Sequence, residues 1–247
     1  MQGNDDAILI DAGKNCKQIE LAMMSNNISM DNVKAVFITH EHIDHCSALR
    51  VLVKRYKIPV YATTLTMEEL LFSQRVTDDM DLHTFDYDEE IKVGGFKLIP
   101  VKTSHDAAQS CGYYIETPDN RKMAIVTDTG IFKDDARKKV CGCDLLVIES
   151  NHDIKMLDEG MYPYLLKRRI KGASGHLSNL DCAKELPAFV ESGVKHILLA
   201  HLSEENNTLE KAENTSEQEL VNAGYERDVD YILEALPPQT NGRSVSF

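Results

Sequence analysis

Short apolar runs recur along the chain and predict strands. Each run holds four or five residues, a length typical of strands. The runs lie at residues 7–10, 35–38, 59–62, 97–101, 112–115, 123–126, 145–148 and 196–200. Some follow each other closely, whereas others are separated by stretches with a helical pattern. The chain therefore predicts a mixed fold in which strands assemble into sheets.

Four stretches show the spacing of amphipathic helices, with apolar residues three or four positions apart. They cover residues 47–56, 66–72, 179–192 and 216–223. The second opens with Thr66 followed by Glu69, which is the spacing of a capping box. One face of the third carries four apolar residues: Leu180, Ala183, Leu186 and Phe189. Strands in pairs, followed by strands with helices between them, favour sheets covered on their outer faces by helices.

The composition is that of an ordinary soluble globular protein, with 43% hydrophobic and 27% charged residues in a chain of 247. No apolar run approaches the ~18 residues of a transmembrane helix, so no membrane span is expected. The N-terminus has neither the basic nor the apolar region of a signal peptide. The six cysteines are scattered and form no Cys-x-x-Cys pair, which favours reduced thiols. We therefore expect a cytoplasmic protein, and the length suits one domain of moderate size or two very small ones.

The net charge of −13 is distributed unevenly along the chain. Such a charge argues against a protein that coats nucleic acid, because those proteins normally present a basic face. Acidic residues concentrate at 78–90 and 204–219, whereas a basic run occupies 54–57. A second basic run contains Lys167, Arg168, Arg169 and Lys171. A short basic run is either a solvated helix face or a phosphate-binding surface, and its position alone leaves both interpretations open.

Six consecutive residues carry the densest chemistry of the chain. They are His40-Glu41-His42-Ile43-Asp44-His45, which follow the apolar run at 35–38 after one intervening residue. Alternate residues at a strand end point the same way, so His40 and His42 can share one cation. As the chain turns, Asp44 and His45 can address a second cation nearby. A helical zinc motif of the His-Glu-x-x-His type is excluded, because position 44 is an aspartate.

Three other predicted strands are also followed by a residue that can bind a metal. His105 follows the run at 97–101, Asp128 follows 123–126, and His201 follows 196–200. If these strand ends lie along one edge of the fold, they and the histidine segment form one pocket with seven ligands. Seven ligands suit two cations that share a bridging carboxylate and a bridging hydroxide.

The complete set of residues resembles the metallo-β-lactamase superfamily. The motif His-x-His-x-Asp-His with three later strand-end ligands is highly specific for that fold and its metals. The resemblance implies an α/β (α+β) protein with an αββα sandwich. Further stretches resemble the bacterial YycJ/WalJ-like branch, which is related to ribonuclease Z-like nucleases and associated with exonuclease activity on DNA. These stretches are residues 9–13, 104–108, 126–130, 149–153, 175–179 and 200–208.

The resemblance also implies which residues hold the metals. One metal would be bound by His40, His42 and His105, and the other by Asp44, His45 and His201, with Asp128 bridging the two. Asp11 would steady the histidine segment from outside the ligand set. A simple turn aspartate before Gly13 explains Asp11 equally well from the sequence.

Catalytic roles follow from the same resemblance. His176 resembles the histidine that protonates the leaving oxygen in ribonuclease Z-like nucleases, and Glu149 would orient it. The alternative is that His176 is an ordinary residue just before a helix. His152 could support the site, face the substrate or be structural, and the sequence does not separate these roles.

The chain departs from the family pattern at its start. Members usually begin earlier, with a first strand and a turn rich in Gly and Ser, whereas this chain opens close to the second strand. Either the start of the chain is misassigned, or the fold lacks the first N-terminal strand, leaves a sheet edge open and is marginal in stability. Residues 1–236 are predicted to form the metallo-β-lactamase-fold hydrolase domain, and residues 237–247 a loose C-terminal tail.

These roles predict a phosphodiesterase or exonuclease that acts on DNA or RNA. Two cations would supply a bridging hydroxide near neutral pH and neutralise charge on the phosphate. Asp44 would take up the hydroxide proton, and His176 would protonate the departing 3′ oxygen. The basic run at 167–171 lies a few residues before His176 and would grip neighbouring phosphates, which positions a strand without reading its sequence.

Several alternatives remain open at this point. The ligands suit Zn²⁺, but Mn²⁺ or Fe²⁺ would also fit. A hydrolase for small esters, thioesters or lactams would use the same metal chemistry, so only the basic run and the Glu149/His176 pair favour nucleic acid. A redox di-iron enzyme is disfavoured because such relatives prefer a carboxylate at the position of His42. A metal-free binding module is disfavoured because all seven ligands are present.

Overall fold

The computed structural model describes residues 1–3, 6–87, 89–238 and 244–247 of the chain. They form two compact units, one with residues 1–100 and 107–120 and one with residues 101–106 and 121–238. Both units combine strands with helices, so the predicted mixed α/β class is confirmed. The single domain at 1–236 stays a prediction. So does the loose tail at 237–247, because residues 239–243 lie outside the described part.

A sheet forms the framework of the first unit. Its strands, in spatial order, are β1 (Gln2–Gly3), β2 (Asp6–Ile10), β3 (Val33–Phe37), β4 (Val60–Thr63) and β5 (Leu82–Phe85). From β2 to β5 all neighbours are parallel. The connections contain the helices α1 (Cys16–Ser25), α2 (Ile43–Cys46), α3 (Leu49–Tyr56) and α4 (Thr64–Phe72). Because β2 and β3 are parallel neighbours, the residues that follow them meet at the same edge of the sheet.

The backbone edge of β2 is paired at its beginning. Strand β1 runs antiparallel to β2, with Gln2 opposite Ala7 and Gly3 opposite Asp6. The Ile8 N–H also donates to the carbonyl of Met1 at 2.9 Å. Paired backbone groups do not template the addition of another strand. The open edge that we predicted for β2 is therefore not found over these residues.

Helix α3 shows why the hydrophobic pattern predicts this unit well. Leu49, Leu52 and Val53 recur at helical spacing and are fully buried or nearly so, whereas Val51 on the opposite face is 52% exposed. These side chains pack in one core with Val36 and Val60 of the sheet. Burying an aliphatic side chain of this size stabilises a fold by about 1.5–3 kcal/mol, so this face fixes the helix on the sheet.

Three further strands belong wholly or mainly to the first unit. They are β6 (Ile91–Val93), β7 (Phe96–Lys102) and β8 (Cys111–Glu116). Strand β7 pairs antiparallel with β6 and is hydrogen-bonded to β8. The last two residues of β7 are counted in the second unit, where the chain continues to His105.

The second unit is built on four strands that are all parallel to their neighbours. In spatial order they are β12 (Ile232–Ala235), β11 (His196–Ala200), β10 (Leu145–Glu149) and β9 (Lys122–Val126). The helices of this unit are α5 (Asp134–Val140), α6 (Ile154–Glu159), α7 (Tyr164–Ile170), α8 (Asn179–Glu191) and α9 (Leu209–Asn222). No helix within the described ranges is long and apolar enough to cross a bilayer.

The predicted strands are all confirmed, with ends that differ by at most two residues. The predicted bounds of the helices are less accurate. The helix predicted at 66–72 begins at Thr64, so Thr66 does not cap it, and its hydroxyl instead donates to the Gln109 carbonyl at 3.3 Å. The helix predicted at 216–223 extends back to Leu209, where Thr208 caps it. Leu180, placed on the apolar face of α8, is 37% exposed, because Cys182 and Ala183 occupy the buried face.

Candidate metal centre

The histidine segment lies just beyond the carboxyl end of β3, as predicted. His40 is buried, His42 precedes the first turn of α2, and His45 is buried within that turn. The rings of His40 and His42 have centroids 4.6 Å apart, and those of His40 and His45 are 4.1 Å apart. The carboxylate of Asp44 is exposed, and its Oδ2 lies 3.6 Å from Nε2 of His45. The first unit thus holds its four predicted ligands in one cluster.

Asp11 fixes this cluster through its carboxylate. Its Oδ2 accepts a hydrogen bond from Nδ1 of His45 at 2.7 Å and another from the Thr39 hydroxyl at 2.8 Å. Its Oδ1 accepts from the Thr39 N–H at 2.8 Å. A carboxylate that accepts from Nδ1 leaves Nε2 of the same ring as the atom that can bind a metal. The contact expected between Asp11 and the histidine segment is therefore confirmed.

Gly13 allows the two loops of the first unit to approach each other closely. A Cβ atom at this position would lie 1.5 Å from the carbonyl oxygen of Asp44, a distance that no side chain tolerates. The Ala12 N–H also donates to the His45 carbonyl at 2.7 Å. The stretch at 9–13 therefore fits the histidine segment through its backbone, and the glycine is needed for that fit.

The second unit collects its candidate residues at the carboxyl edge of three adjacent parallel strands. Asp128 lies two residues beyond β9, Glu149 is the last residue of β10, and His201 follows β11 directly. Glu149 is in register with Ala200, and Ile148 is in register with Val126, so the three positions lie within one residue of one another along the strands. Asp128 and His201 both have φ of +56°, a left-handed conformation that turns each chain sharply at the strand end.

Glu149 connects two of the histidines in this unit. It is fully buried, and its Oε1 accepts hydrogen bonds from Nδ1 of His176 at 2.8 Å and Nδ1 of His201 at 2.7 Å. Its Oε2 accepts from the N–H groups of Thr129 at 2.9 Å and Leu177 at 3.2 Å. Burial by itself raises the pKa of this carboxyl, but the hydrogen bonds from the two histidines outweigh that effect and lower it. Glu149 is therefore a carboxylate, and both rings present Nε2 away from it.

The surroundings of Asp128 fit a divalent cation. Its Oδ1 lies 3.5 Å from Nε2 of His201, 3.8 Å from Nε2 of His105 and 3.8 Å from Nδ1 of His176. These separations are longer than hydrogen bonds. Ligands at about 2.1 Å from a tetrahedral Zn²⁺ lie about 3.4 Å from one another. Oδ1 of Asp128 and the Nε2 atoms of His105 and His201 are therefore spaced as metal ligands are, whereas Nδ1 of His176 is already held by Glu149.

His105 is oriented by a backbone carbonyl. Its Nδ1 lies 3.1 Å from the Gly175 carbonyl oxygen, which leaves Nε2 facing Asp128. Burial lowers the pKa of His105, although the charge of Asp128 opposes this. A neutral imidazole with one ring nitrogen already engaged is the form in which histidine binds a metal.

The basic run at 167–171 is largely engaged within the second unit. Lys167 donates to the carbonyls of Asp158 and Gly160, and Lys171 pairs with the Asp158 carboxylate. Arg169 makes a bidentate ion pair with the carboxylate of Asp106, the residue that follows His105. Arg168 makes no ion pair with any described residue, and its guanidinium lies 5.9 Å from the centre of the Tyr164 ring. The predicted role of these four cations in substrate binding stays a prediction.

Several residues that support the loop of His201 were not identified from the sequence. The side chain of Asn151 donates to the His201 carbonyl at 2.9 Å, and Asn207 donates to the carbonyls of Ser150 and Asn151. The amide of Asn179 donates to Asn207 at 2.8 Å. The signal that the sequence offered was the presence of asparagines in the stretches at 149–153, 175–179 and 200–208. An amide that becomes buried there must find hydrogen-bond partners. These asparagines brace the loop that carries His201.

His152 has an environment unlike that of the other histidines. It is 2% exposed, and its Nδ1 has no hydrogen-bond partner among the described residues. Burial lowers its pKa to about 4, although the charge of Glu149 opposes this. His152 is therefore a neutral ring close to Glu149.

Comparisons with known proteins bear on this chemistry. A family model described as "Beta-lactamase superfamily domain" matches residues 6–202. Exodeoxyribonuclease YycJ of Bacillus anthracis is 36% identical over 226 residues, which cover 90% of this chain and 84% of that protein. Exodeoxyribonuclease WalJ of Streptococcus pneumoniae is 32% identical over 235 residues, which cover 94% and 87% respectively.

A solved structure also resembles the chain. The metallo-beta-lactamase fold protein YhfI from Bacillus subtilis matches with a TM-score of 0.66 over 88% of this chain and 82% of that one. The two sequences are 20% identical, so the likeness concerns the fold alone. It confirms the predicted metallo-β-lactamase fold.

Proposed function

Because the chain belongs to the beta-lactamase superfamily, we propose that it is a metal-dependent exonuclease that hydrolyses phosphodiester bonds in DNA. The observation that carries this proposal is the pair of hydrogen bonds from His176 and His201 to one oxygen of Glu149. They set one histidine for metal binding and a second, beside it, for proton transfer. The names of the relatives that match most of the chain support DNA as the substrate.

We propose that the seven ligands predicted from the sequence hold two divalent cations. His40, His42 and His105 would bind one, and Asp44, His45 and His201 the other, with Asp128 serving both. Five imidazoles and two carboxylates suit Zn²⁺, with Mn²⁺ and Fe²⁺ as the alternatives. When bound, such ions supply hydroxide from water near neutral pH and neutralise charge on the phosphate.

The side chains around the proposed metals then handle protons. The exposed carboxylate of Asp44 accepts the proton that the attacking water loses. His176 donates a proton to the departing 3′ oxygen from Nε2, because its Nδ1 is held by Glu149. The side chain of His176 is 19% exposed, so the ring is reachable from solvent. A positioned proton donor of this kind accelerates hydrolysis by about 10²–10⁴-fold.

The backbone places His176 for this role. Its N–H donates to the Ile170 carbonyl at 2.9 Å, which ties it to the end of α7. The preceding Gly175 packs so closely that a Cβ would lie 2.2 Å from the same carbonyl oxygen. Fixed backbone and fixed Nδ1 together leave the ring little freedom, which favours a catalytic role over that of an ordinary residue before α8.

Two further parts of the proposal concern phosphate contacts and compartment. We propose that the basic run binds the phosphates of the substrate, with Arg168 making the main contact, since Lys167, Arg169 and Lys171 already have acceptors.

The six cysteines are all free thiols, which supports the cytoplasm as the compartment.

A hydrolase for small esters, thioesters or lactams is the second candidate, and the net charge of −13 favours it. Turnover of end-labelled DNA, a thioester, a lactam and a small nitrophenyl phosphodiester by the purified protein separates the two. Our proposal expects DNA to be hydrolysed with the highest kcat/KM. A higher value for the thioester or the lactam would make the second candidate correct.

A further inference from the structure

The segment that leads to His176 exposes apolar side chains beside an arginine. Met161 is 95% exposed, Tyr164 is 72% exposed and Leu165 is 74% exposed. Tyr164 and Arg168 are four residues apart on α7 and therefore share one face. We call these four residues the Tyr164 surface. Exposed aromatic and apolar residues clustered on a short segment indicate a binding surface, because single soluble chains rarely expose such groups together.

The Tyr164 surface stands on a firmly held support. Lys167 joins α7 to the preceding α6 by donating to the carbonyls of Asp158 at 2.8 Å and Gly160 at 2.7 Å. Lys171 pairs with the Asp158 carboxylate at 2.5 Å. A surface held by such contacts loses little conformational entropy when a ligand binds.

The Tyr164 surface also has a defined relation to His176. Arg169, one residue after Arg168, pairs with Asp106, whose Oδ1 lies 3.5 Å from Nε2 of His105. The end of α7 is hydrogen-bonded to the backbone of His176 through the Ile170 carbonyl. A strand that lies on this surface is therefore close to the proposed proton donor.

We propose that the Tyr164 surface binds a single-stranded segment of DNA. A base stacks on the ring of Tyr164, and the adjoining phosphate meets the Arg168 guanidinium. This inference rests on the proposed function and names the form of its substrate. Stacking tolerates any base sequence, because every base presents a π-face.

The charge of the chain makes stacking the fitting mode of binding. The net charge is −13, and two of the four basic residues, Arg169 and Lys171, are already paired with carboxylates, so phosphate contacts alone hold a strand weakly. Stacking on an aromatic ring adds affinity that does not depend on charge. The arginine distinguishes this surface from a purely apolar interface, because its charge complements a phosphate.

The chain offers a sharp test, because it contains no tryptophan. Tyr164→Trp introduces a single indole, whose fluorescence is quenched when a nucleobase stacks on it. The variant is titrated with oligo(dT) carrying phosphorothioate linkages, so that hydrolysis does not proceed during the measurement. We expect saturable quenching by the single strand and much weaker quenching by a blunt, GC-rich duplex of equal length.

Matched variants locate the effect. Tyr164→Ala should weaken binding of the single strand by about fivefold to one-hundredfold, as loss of one stacked base does. Phe72→Ala is the control, because Phe72 is 86% exposed and its helix carries no lysine or arginine. Phe72→Ala should leave the dissociation constant unchanged.

Three outcomes would overturn the inference. In the first, the indole emission does not respond to oligo(dT). In the second, the duplex quenches the emission as strongly as the single strand does. In the third outcome, indole emission changes with protein concentration, and light scattering shows a dimer that Tyr164→Ala dissociates. The surface would then be an interface with a second copy of the chain. Hydrolysis of unmodified, end-labelled oligo(dT) is measured in parallel. Quenching without turnover would refute the proposed function and leave the surface, whereas DNA hydrolysis without quenching would refute the surface alone.

Discussion

Nδ1 of His201 donates a hydrogen bond of 2.7 Å to Oε1 of Glu149. The same oxygen accepts from Nδ1 of His176, so one buried carboxylate sets the orientation of a proposed ligand and of the proposed acid. Metal binding and proton transfer in this enzyme are therefore expected to depend on a residue that does neither itself.

Glu149→Gln should lower both metal affinity and turnover. The amide presents a donor to groups that already donate, so at least one of the four hydrogen bonds is lost. Loss of a carboxylate that supports a ligand typically costs about 10–100-fold in metal affinity. Isothermal titration with Zn²⁺ after chelation measures this. Glu185→Gln, which alters an ion pair with Arg137 in the same unit, is the control and should change neither quantity. Unchanged zinc affinity in Glu149→Gln would show that the carboxylate does not support His201.

His176→Ala should leave the metal content intact and slow DNA hydrolysis by about 10²–10⁴-fold. The defect should shrink on a nitrophenyl phosphodiester, because nitrophenolate leaves without a proton. His83→Ala is the control, since His83 stacks on Tyr61 in the first unit. Equal losses on both substrates would show that His176 is structural, and loss of metal would make it a ligand.

Protein stability should depend on pH through His152. The folded pKa of about 4 lies below the ordinary value of 6.5, so as pH falls below 6.5 the unfolded chain takes up the proton first. Stability contributed by the neutral ring is therefore present above pH 6.5 and is lost towards pH 4. The loss amounts to about 3 kcal/mol in total, and its slope does not exceed about 1.4 kcal/mol per pH unit.

Urea denaturation of the wild type and of His152→Asn, each between pH 7 and pH 4, isolates this effect. The variant should lose less stability over the range, whatever its stability at pH 7. Parallel curves for the two proteins would mean that His152 takes up its proton equally well in the folded state.

The salt dependence of DNA binding should distinguish Arg168 from Arg169. Each phosphate contact on a single strand contributes about 0.7 to the slope of log K against log salt concentration. Arg168→Ala should lower the slope by about this amount, because Arg168 is exposed and its guanidinium lies over the Tyr164 ring. Arg169→Ala should lower it less, because Arg169 already pairs with Asp106. Lys138→Ala, on the exposed face of α5, is the control. An unchanged slope for Arg168→Ala would show that the residue is merely solvated.

Eight strands and the candidate metal ligands that follow strand ends have local sequence signals, whereas the short strands β1, β5, β6 and β12 were not predicted. The residues of the histidine segment are consecutive, and His105, Asp128 and His201 each follow an apolar run that marks a strand end. The helix α3 was also predictable, since Leu49, Leu52 and Val53 bury one face.

The contacts that organise these residues were not predictable from one sequence. Glu149 and His201 are 52 residues apart and meet only because β10 and β11 are parallel neighbours in register. Likewise, the sequence did not show that Lys167 and Lys171 are hydrogen-bonded to Asp158 and so are less available for phosphate. Helix α7 escaped prediction because its large apolar residues, Tyr164 and Leu165, point to solvent and so break the amphipathic pattern.

Two cations are proposed to share Asp128, and the metal content of purified Asp128→Asn tests this sharing. Asparagine tolerates the left-handed backbone at this position, and Asp228→Asn, at another left-handed aspartate, is the matched control. Elemental analysis should find close to two divalent cations per chain in the wild type and the control, and a loss at both sites in Asp128→Asn. A single tightly held cation in the wild type, unchanged in Asp128→Asn, would show that Asp128 does not bridge two metals.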